Sequence, residues 1–255
     1  MRPLKPFFSY FGSKYHLAKH YPSPKHNILI EPFAGSACYA LHYPHKQVKL
    51  YDKYDVICGI WDYLIKVKKE EILDLPMIDF DKSVNDYPSI PQEAKWLIGY
   101  WLHTSNYRPD TKWTSRCKSS AQGFISKAGE VYKPRNYNTW TELNKIKIAE
   151  QLQYIRHWTI EQKSYEDIDN EEATWFIDPP YQHEGKGYAH SSNKIDFSHL
   201  GEWCKGREGQ VIVCEGEKAT WLPFEPLRTI LNCQMKEFNE VVWLNDQNPK
   251  QQTLF

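Results

Sequence analysis

The sequence predicts an α/β protein: a seven-stranded, mostly parallel sheet with one small, basic, mainly helical and loop insertion. Three observations carry this. Short apolar runs of the kind that fill buried parallel strands recur along the chain, helical patterns alternate with them, and the alternation lapses once, between about residues 72 and 140.

The first strand is expected at residues 27–31 (Asn-Ile-Leu-Ile-Glu) and the second from Val48 to Tyr51, with a helical stretch from Ser36 to Tyr43 between them. That is a βαβ unit. A longer helix follows from Asp55 to Glu71. Ile57, Ile60, Trp61, Leu64 and Ile65 share one face, and Lys66, Lys68 and Lys69 sit where the helix dipole favours cations. Another helix is expected from Pro91 to His103. Beyond it runs a polar stretch without a period, punctuated by turn residues at Arg108-Pro109-Asp110, Ala128-Gly129 and Lys133-Pro134; a loop of that length inside a domain is usually functional. After a helix from Thr141 to Ile155, strands return at 158–161, 174–177, 210–213, 227–231 and 240–244. Helical segments are expected at Asp196 to Lys205 and Lys218 to Leu222, and the last two strands form an antiparallel pair.

Composition narrows the function classes. The 255 residues carry 32 Lys and Arg against 32 Asp and Glu, which excludes a polybasic protein held to phosphate by bulk charge. The balance is uneven, however. From His103 to Ile160 ten Lys and Arg face four acids, a net +6 that leaves −6 for the remainder. No window approaches a membrane span, and the N-terminal residues lack the apolar core of a signal peptide, so a cytoplasmic protein is expected. The six cysteines have neither C-x-x-C nor zinc spacing and read as reduced, buried residues; no metal is expected. Aromatic residues make up 15% of the chain, enough to supply stacking surfaces for planar ligands.

Three segments carry chemistry. Asp178-Pro179-Pro180-Tyr181 directly follows the apolar run Trp175-Phe176-Ile177, and ligands of open α/β sheets bind beyond the carboxyl ends of strands. The two prolines remove backbone donors, leaving carbonyls and a carboxylate as acceptors beside an aromatic face, a site suited to a planar ring with an amino group. A plain strand-ending turn would use the same residues. Glu31-Pro32-Phe33-Ala34-Gly35-Ser36-Ala37 follows the first strand, and its small residues let a ligand approach the main chain. It is not a dinucleotide fingerprint, because Phe33 and Cys38 stand where glycines would be needed. Asp52 ends the next strand, where an acid can hydrogen-bond a ribose hydroxyl or serve as a turn cap. Tyr10-Phe11-Gly12-Ser13-Lys14 sets an aromatic beside a cation that could meet a carboxylate or stay solvated.

In this order the segments resemble the Dam-like N6-adenine DNA methyltransferases of the α order and their phage relatives, some of them restriction-modification enzymes. That family carries F/W-x-G-G/S-K near its N-terminus, a D/E-P-F-x-G-x-G/A loop, a strand-end Asp, an inserted target-recognition region and D-P-P-Y. The resemblance covers nearly the whole chain. It implies the Rossmann-like fold of S-adenosylmethionine (SAM)-dependent methyltransferases, with residues 1–71 and 141–255 as the catalytic SAM-binding domain and 72–140 as the recognition insertion. It also implies methylation of the adenine N6 amino group in double-stranded DNA. Tyr10, Lys14, Glu31, Pro32, Phe33, Ala34, Gly35, Ser36, Asp52 and Asp178 would contact SAM. Ser164, in Gln162-Lys163-Ser164-Tyr165, stands where the family often has an Asp at the cofactor adenine. Asp178, Pro179, Pro180 and Tyr181 would hold the flipped target base. Arg108, Lys112, Arg116, Lys133 and Arg135 would contact DNA, with Tyr107, Trp113, Tyr132, Tyr137 and Trp140 interleaved. Two other classes stay open: an N-methyltransferase of RNA or protein amides, whose relatives more often carry N-P-P-Y, and a catalytically silent nucleic-acid-binding module.

Overall fold

The computed structural model describes residues 2–103, 105–122, 124–125, 131–132, 139–231 and 237–245. It comprises two compact units. The first takes Met1–Pro3, Lys14–Asp55 and Trp158–Phe255, and the second Leu4–Ser13 and Val56–His157.

The first unit is built on seven strands: β1 (Ile28–Glu31), β2 (Gln47–Asp52), β3 (Thr159–Gln162), β4 (Ala173–Ile177), β5 (Gly209–Gly216), β6 (Glu225–Leu231) and β7 (Glu237–Leu244). They pair in the order β3-β2-β1-β4-β5-β7-β6. The pairs β1 to β2, β1 to β4, β2 to β3 and β4 to β5 are parallel, whereas β7 runs antiparallel to both β5 and β6. A 3-2-1-4-5-7-6 sheet with its seventh strand reversed is the class I SAM-dependent methyltransferase fold, so the fold expected from the sequence is the one observed.

The strand β4 is buried at every position, as the unbroken apolar run Trp175-Phe176-Ile177 requires of a strand covered on both faces. On one face Ile30, Trp175, Ile177, Val211 and Val213 pack with Leu200, Trp203 and Cys204. The last three belong to the helix Phe197–Lys205, whose first turn is capped by the Asp196 carboxylate accepting from the His199 N–H at 3.0 Å. Opposite the start of β4, Gly209 pairs with Ala173 at φ +90°, a conformation open to glycine and closed to other residues in so tight a register.

Two expected helices of this unit are absent. Residues 36–43 form turns and a single 3-10 turn, Ala40–His42, because Gly35 and Ala37 take left-handed φ values of 44° and 49° and break helical geometry where it would start. Residues 218–222 run from a turn at Lys218 to a bend at Trp221 and Leu222; the segment is too short to complete more than one helical turn and Pro223 disfavours helical geometry at Leu222.

The second unit is helical: α1 (Asp55–Lys66, of which only Asp55 belongs to the first unit), α2 (Lys69–Leu73), α3 (Gln92–Leu102), α4 (Ser115–Gln122) and α5 (Glu142–Gln151), with a two-stranded hairpin of Phe124–Ile125 and Val131–Tyr132. The single helix expected from Asp55 to Glu71 is two, divided where Lys68 adopts extended backbone (ψ 155°). The stretch expected to be irregular contributes α4. Phe7 and Phe8 pack edge-on against Trp61 at 5.6 and 5.7 Å between ring centres. Arg156 closes the carboxyl end of α1: its guanidinium donates to the carbonyls of Leu64, Ile65 and Val67, oxygens with no helical partner of their own. Replacing Arg156 with alanine is expected to cost about 2 kcal/mol, the scale for charge-assisted bonds to backbone. Differential scanning calorimetry should register a fall in Tm of about 5 °C.

Candidate active site

The chain leaves the sheet in opposite directions at β1 and β4, which makes the crevice beyond their carboxyl ends the place where an open α/β sheet takes its ligand. Three expected segments of the first unit converge there.

The loop Glu31 to Ala37 leaves β1. Its shape is held from both sides: the Ala34 N–H donates to the Tyr51 carbonyl at 2.8 Å, and the Gly35 N–H donates to Asp52 Oδ2 at 3.0 Å. The other carboxylate oxygen, Asp52 Oδ1, accepts from the Tyr54 N–H at 2.9 Å. Burial raises the Asp52 pKa, and the N–H groups of Tyr54 and Gly35, with His190 nearby, oppose that rise. Asp52 thus braces the loop. Glu31 is 3% exposed and accepts the Ala40 N–H at 2.7 Å. Burial pushes its carboxyl well above the usual range, the Ala40 bond opposes this and nearby Asp178 adds to it. Glu31 therefore ties the loop to the segment behind it. Phe33 packs against Tyr165, with ring centres 5.7 Å apart, and Ser164 Oγ, one residue earlier, is buried with no hydrogen-bond partner.

Asp178 to Tyr181 leave β4. Lys14 Nζ lies 3.6 Å from Asp178 Oδ1 and 4.4 Å from the centre of the Tyr181 ring, over its face. Desolvation lowers the Lys14 pKa, but Asp178 and Glu240 outweigh it and the net shift is upward, so Lys14 is an ammonium. The Asp178 carboxyl is pushed up to about 6, first by burial, with Lys14 holding it down and Glu240 adding to the rise. It is therefore ionised at neutral pH and titrates just below. The turn is closed by the Gly185 N–H donating to the Tyr181 carbonyl at 2.7 Å, with Gly185 so tight against Pro180 that a side chain there would lie 2.6 Å from the Pro180 carbonyl carbon.

A further cluster was not foreseen from the sequence. Glu240, on β7, is 1% exposed, and its Oε1 accepts the Tyr181 hydroxyl and, at 2.5 Å, the Tyr21 hydroxyl. Its Oε2 is buried with no hydrogen-bond partner among the described residues. Cys214 of β5 lies beside Tyr21, and burial drives the hydroxyls of Tyr21 and Tyr181 well above the usual phenol range. The available signal was an acid at the head of the apolar run Val241-Val242-Trp243, although nothing local pairs it with a tyrosine 219 residues away.

The remaining expected residues lie in the second unit. Tyr10 packs edge-on against Tyr100 at 5.5 Å and bridges Asn106 through its backbone. Arg108, Lys112 and Arg116 are exposed, whereas Lys133, Arg135 and Tyr137 lie outside the described residues, as does the side chain of Tyr132. Two aromatics expected on a binding face serve the interior instead. Trp140 is fully buried and donates to the Pro76 carbonyl at 2.9 Å, and half-buried Trp113 donates to the Ile78 carbonyl at 2.9 Å. The basic surplus is likewise partly internal, since Lys145 is 4% exposed beside Glu142 and Arg156 caps α1.

The five described cysteines are buried, and Cys233 lies outside the described residues. Among the described residues no cluster of His, Cys, Asp and Glu could hold a metal, and no helix is long and apolar enough to cross a membrane. No protein-family model and no curated protein matches the chain.

The residues at the ends of β1, β2 and β3 fit SAM. Ser164 Oγ is an orphaned buried hydroxyl beside an aromatic pair, as an adenine would need, and Asp52 is a braced carboxylate at the ribose position of such folds.

Proposed function

We propose that the protein is a SAM-dependent DNA methyltransferase acting on the N6 amino group of adenine. The observation that carries this reading is Asp178-Pro179-Pro180-Tyr181 at the carboxyl end of β4, an acceptor-only turn with a buried carboxylate. Bound against the β1 loop, Asp52 and Ser164, SAM would supply a sulfonium methyl group that an amine nitrogen can accept.

The rest of the work falls to the chain's own residues. An adenine amino nitrogen is a poor nucleophile because its lone pair is delocalised into the ring. The Asp178 carboxylate and the Pro179 carbonyl accept its two N–H bonds, localising the lone pair and stabilising the positive charge that grows on nitrogen. Tyr181 gives the base a face to stack on, which fixes the approach of the nitrogen. A neutral aromatic amine is a very weak acid, so Asp178 acts as an acceptor, and the proton leaves only after nitrogen has become cationic. A base inside a duplex cannot meet these groups, hence the nucleotide is flipped out.

Arg108, Lys112 and Arg116 are assigned to phosphate contacts, as are Lys133 and Arg135. Each phosphate contact removed should reduce the slope of log affinity against log salt by about 0.9. Triple replacement of Arg108, Lys112 and Arg116 by alanine is therefore expected to weaken duplex binding and flatten the slope by about 3. Fluorescence anisotropy across a salt series measures both, and an unchanged slope removes these residues from the interface.

The decisive experiment offers radiolabelled SAM with duplex DNA, RNA and protein in parallel, followed by nucleoside analysis. N6-methyladenine from DNA is the expected product. Label in RNA or in protein amide assigns the enzyme to another substrate class, and no label in any of them leaves a non-catalytic binding module.

A further inference from the structure

Tyr181 offers its ring as the stacking surface in the proposed reaction, yet a tyrosine ring alone can turn about its side-chain bonds. Two groups restrain it here. The Lys14 ammonium lies over its face at 4.4 Å, and its hydroxyl is held by a buried carboxylate that accepts a second tyrosine hydroxyl on the same oxygen. We propose that Glu240 is a positioning residue, which by accepting the hydroxyls of Tyr181 and Tyr21 fixes the plane of the Tyr181 ring on which the target base stacks. This role rests on the reading of Asp178 to Tyr181 as the base pocket.

Three features favour it over plain packing. First, hydrogen bonds to a carboxylate are stronger and more directional than those between neutral groups, so two of them converging on one oxygen define a direction. Second, Glu240 is 1% exposed and its Oε2 has no hydrogen-bond partner among the described residues. A contact needed only for stability would be made more cheaply by a neutral side chain, since a bare buried carboxylate oxygen forfeits its hydration. Third, Tyr21 is buried and meets the Phe176 ring edge-on at 5.2 Å, so the second anchor is itself fixed against β4. Among the described residues the charged and titratable groups that interact electrostatically with the carboxylate include Lys14, Asp178, Tyr181, Tyr21 and Cys214.

The test uses the full chain with the variants Glu240→Gln, Glu240→Leu and Tyr181→Phe and the double variant Tyr181→Phe/Glu240→Leu. Tyrosine labelled with 13C at Cζ gives a readout that needs no activity. Glu240→Gln is expected to shift the Tyr181 and Tyr21 resonances and leave the other tyrosines in place; unshifted Tyr181 and Tyr21 resonances overturn the contact. In the methylation assay Glu240→Leu is expected to lower kcat/KM for duplex DNA by about 100-fold, the scale for a misplaced reactant. Glu240→Gln, which keeps an acceptor, should restore most of that loss. It should also move the acidic limb of the pH profile downward, because Asp178 loses a like-charged neighbour. The double variant should be no worse than Glu240→Leu. Losses that multiply, or an unmoved limb, overturn the role. Wild-type protein that methylates no DNA defeats the functional reading and base positioning with it, while the resonances still decide whether the two tyrosines share Glu240.

Discussion

Asp178→Ala is expected to lower kcat/KM for methyl transfer by about 100- to 1,000-fold, the loss seen when one preorganised group is removed from a developing charge. Cofactor binding should survive, because Asp52, the β1 loop and Ser164 belong to other segments. Isothermal titration of SAM and single-turnover methylation separate the two quantities, and full activity in the variant would rule out the assigned chemistry. The wild-type pH profile carries the same expectation. With its carboxyl pushed up to about 6, Asp178 is protonated below that pH and one oxygen turns from acceptor to donor, so kcat/KM should fall on the acidic side with its midpoint near 6. Stability responds with the opposite sign. The folded protein holds a proton that the unfolded chain has released between about 4 and 6, so this group's contribution is present at low pH and lost as pH rises through 6. A site that gains function over the interval in which its carboxyl costs stability is a built-in conflict of this kind of pocket.

The largest effect on the fold is expected from Gly209→Ala. A Cβ at this position would lie 2.2 Å from the Ala173 carbonyl oxygen and 2.8 Å from its nitrogen, and φ of +90° is closed to alanine. Neither obstacle is the end of a flexible side chain; both are backbone, and Ala173 opens the strand that carries Asp178. Overpacking and backbone strain together amount to roughly 4 kcal/mol. Thermal unfolding should move down by about 10 °C. A variant that melts within a degree or two of wild type would mean that β4 and β5 do not pair in this register.

The sheet was legible because buried parallel strands are unbroken apolar runs, and Asp178 because two prolines at the end of such a run leave few structural alternatives. Tertiary geometry overrode local pattern elsewhere. Residues 36–43 have helical composition, but the loop that precedes them must turn toward Asp52, which drives Ala37 to a left-handed φ. Trp113 and Trp140 lie among charged and polar residues in the sequence, yet each indole finds a backbone carbonyl in a distant segment. Glu240 and Tyr21 were hidden for a different reason. Their relation exists only once the antiparallel β7 lies beside β5 with Glu240 opposite Gly216, at the edge where the parallel strands end.

The Arg156 clamp on the end of α1 bears on the order in which the molecule assembles. The strands β2 and β3 pair in parallel from Lys49 opposite Thr159 onward, so the intervening chain must be closed into a loop for the sheet to extend. Arg156 draws the end of that chain back to residues 64 to 67, close to its beginning. If the helical unit forms first, the span left to close is about sevenfold shorter, which lowers the entropic cost of closure by about 1.7 kcal/mol. Weakening the clamp should therefore slow refolding of the strands as well as lower the melting point.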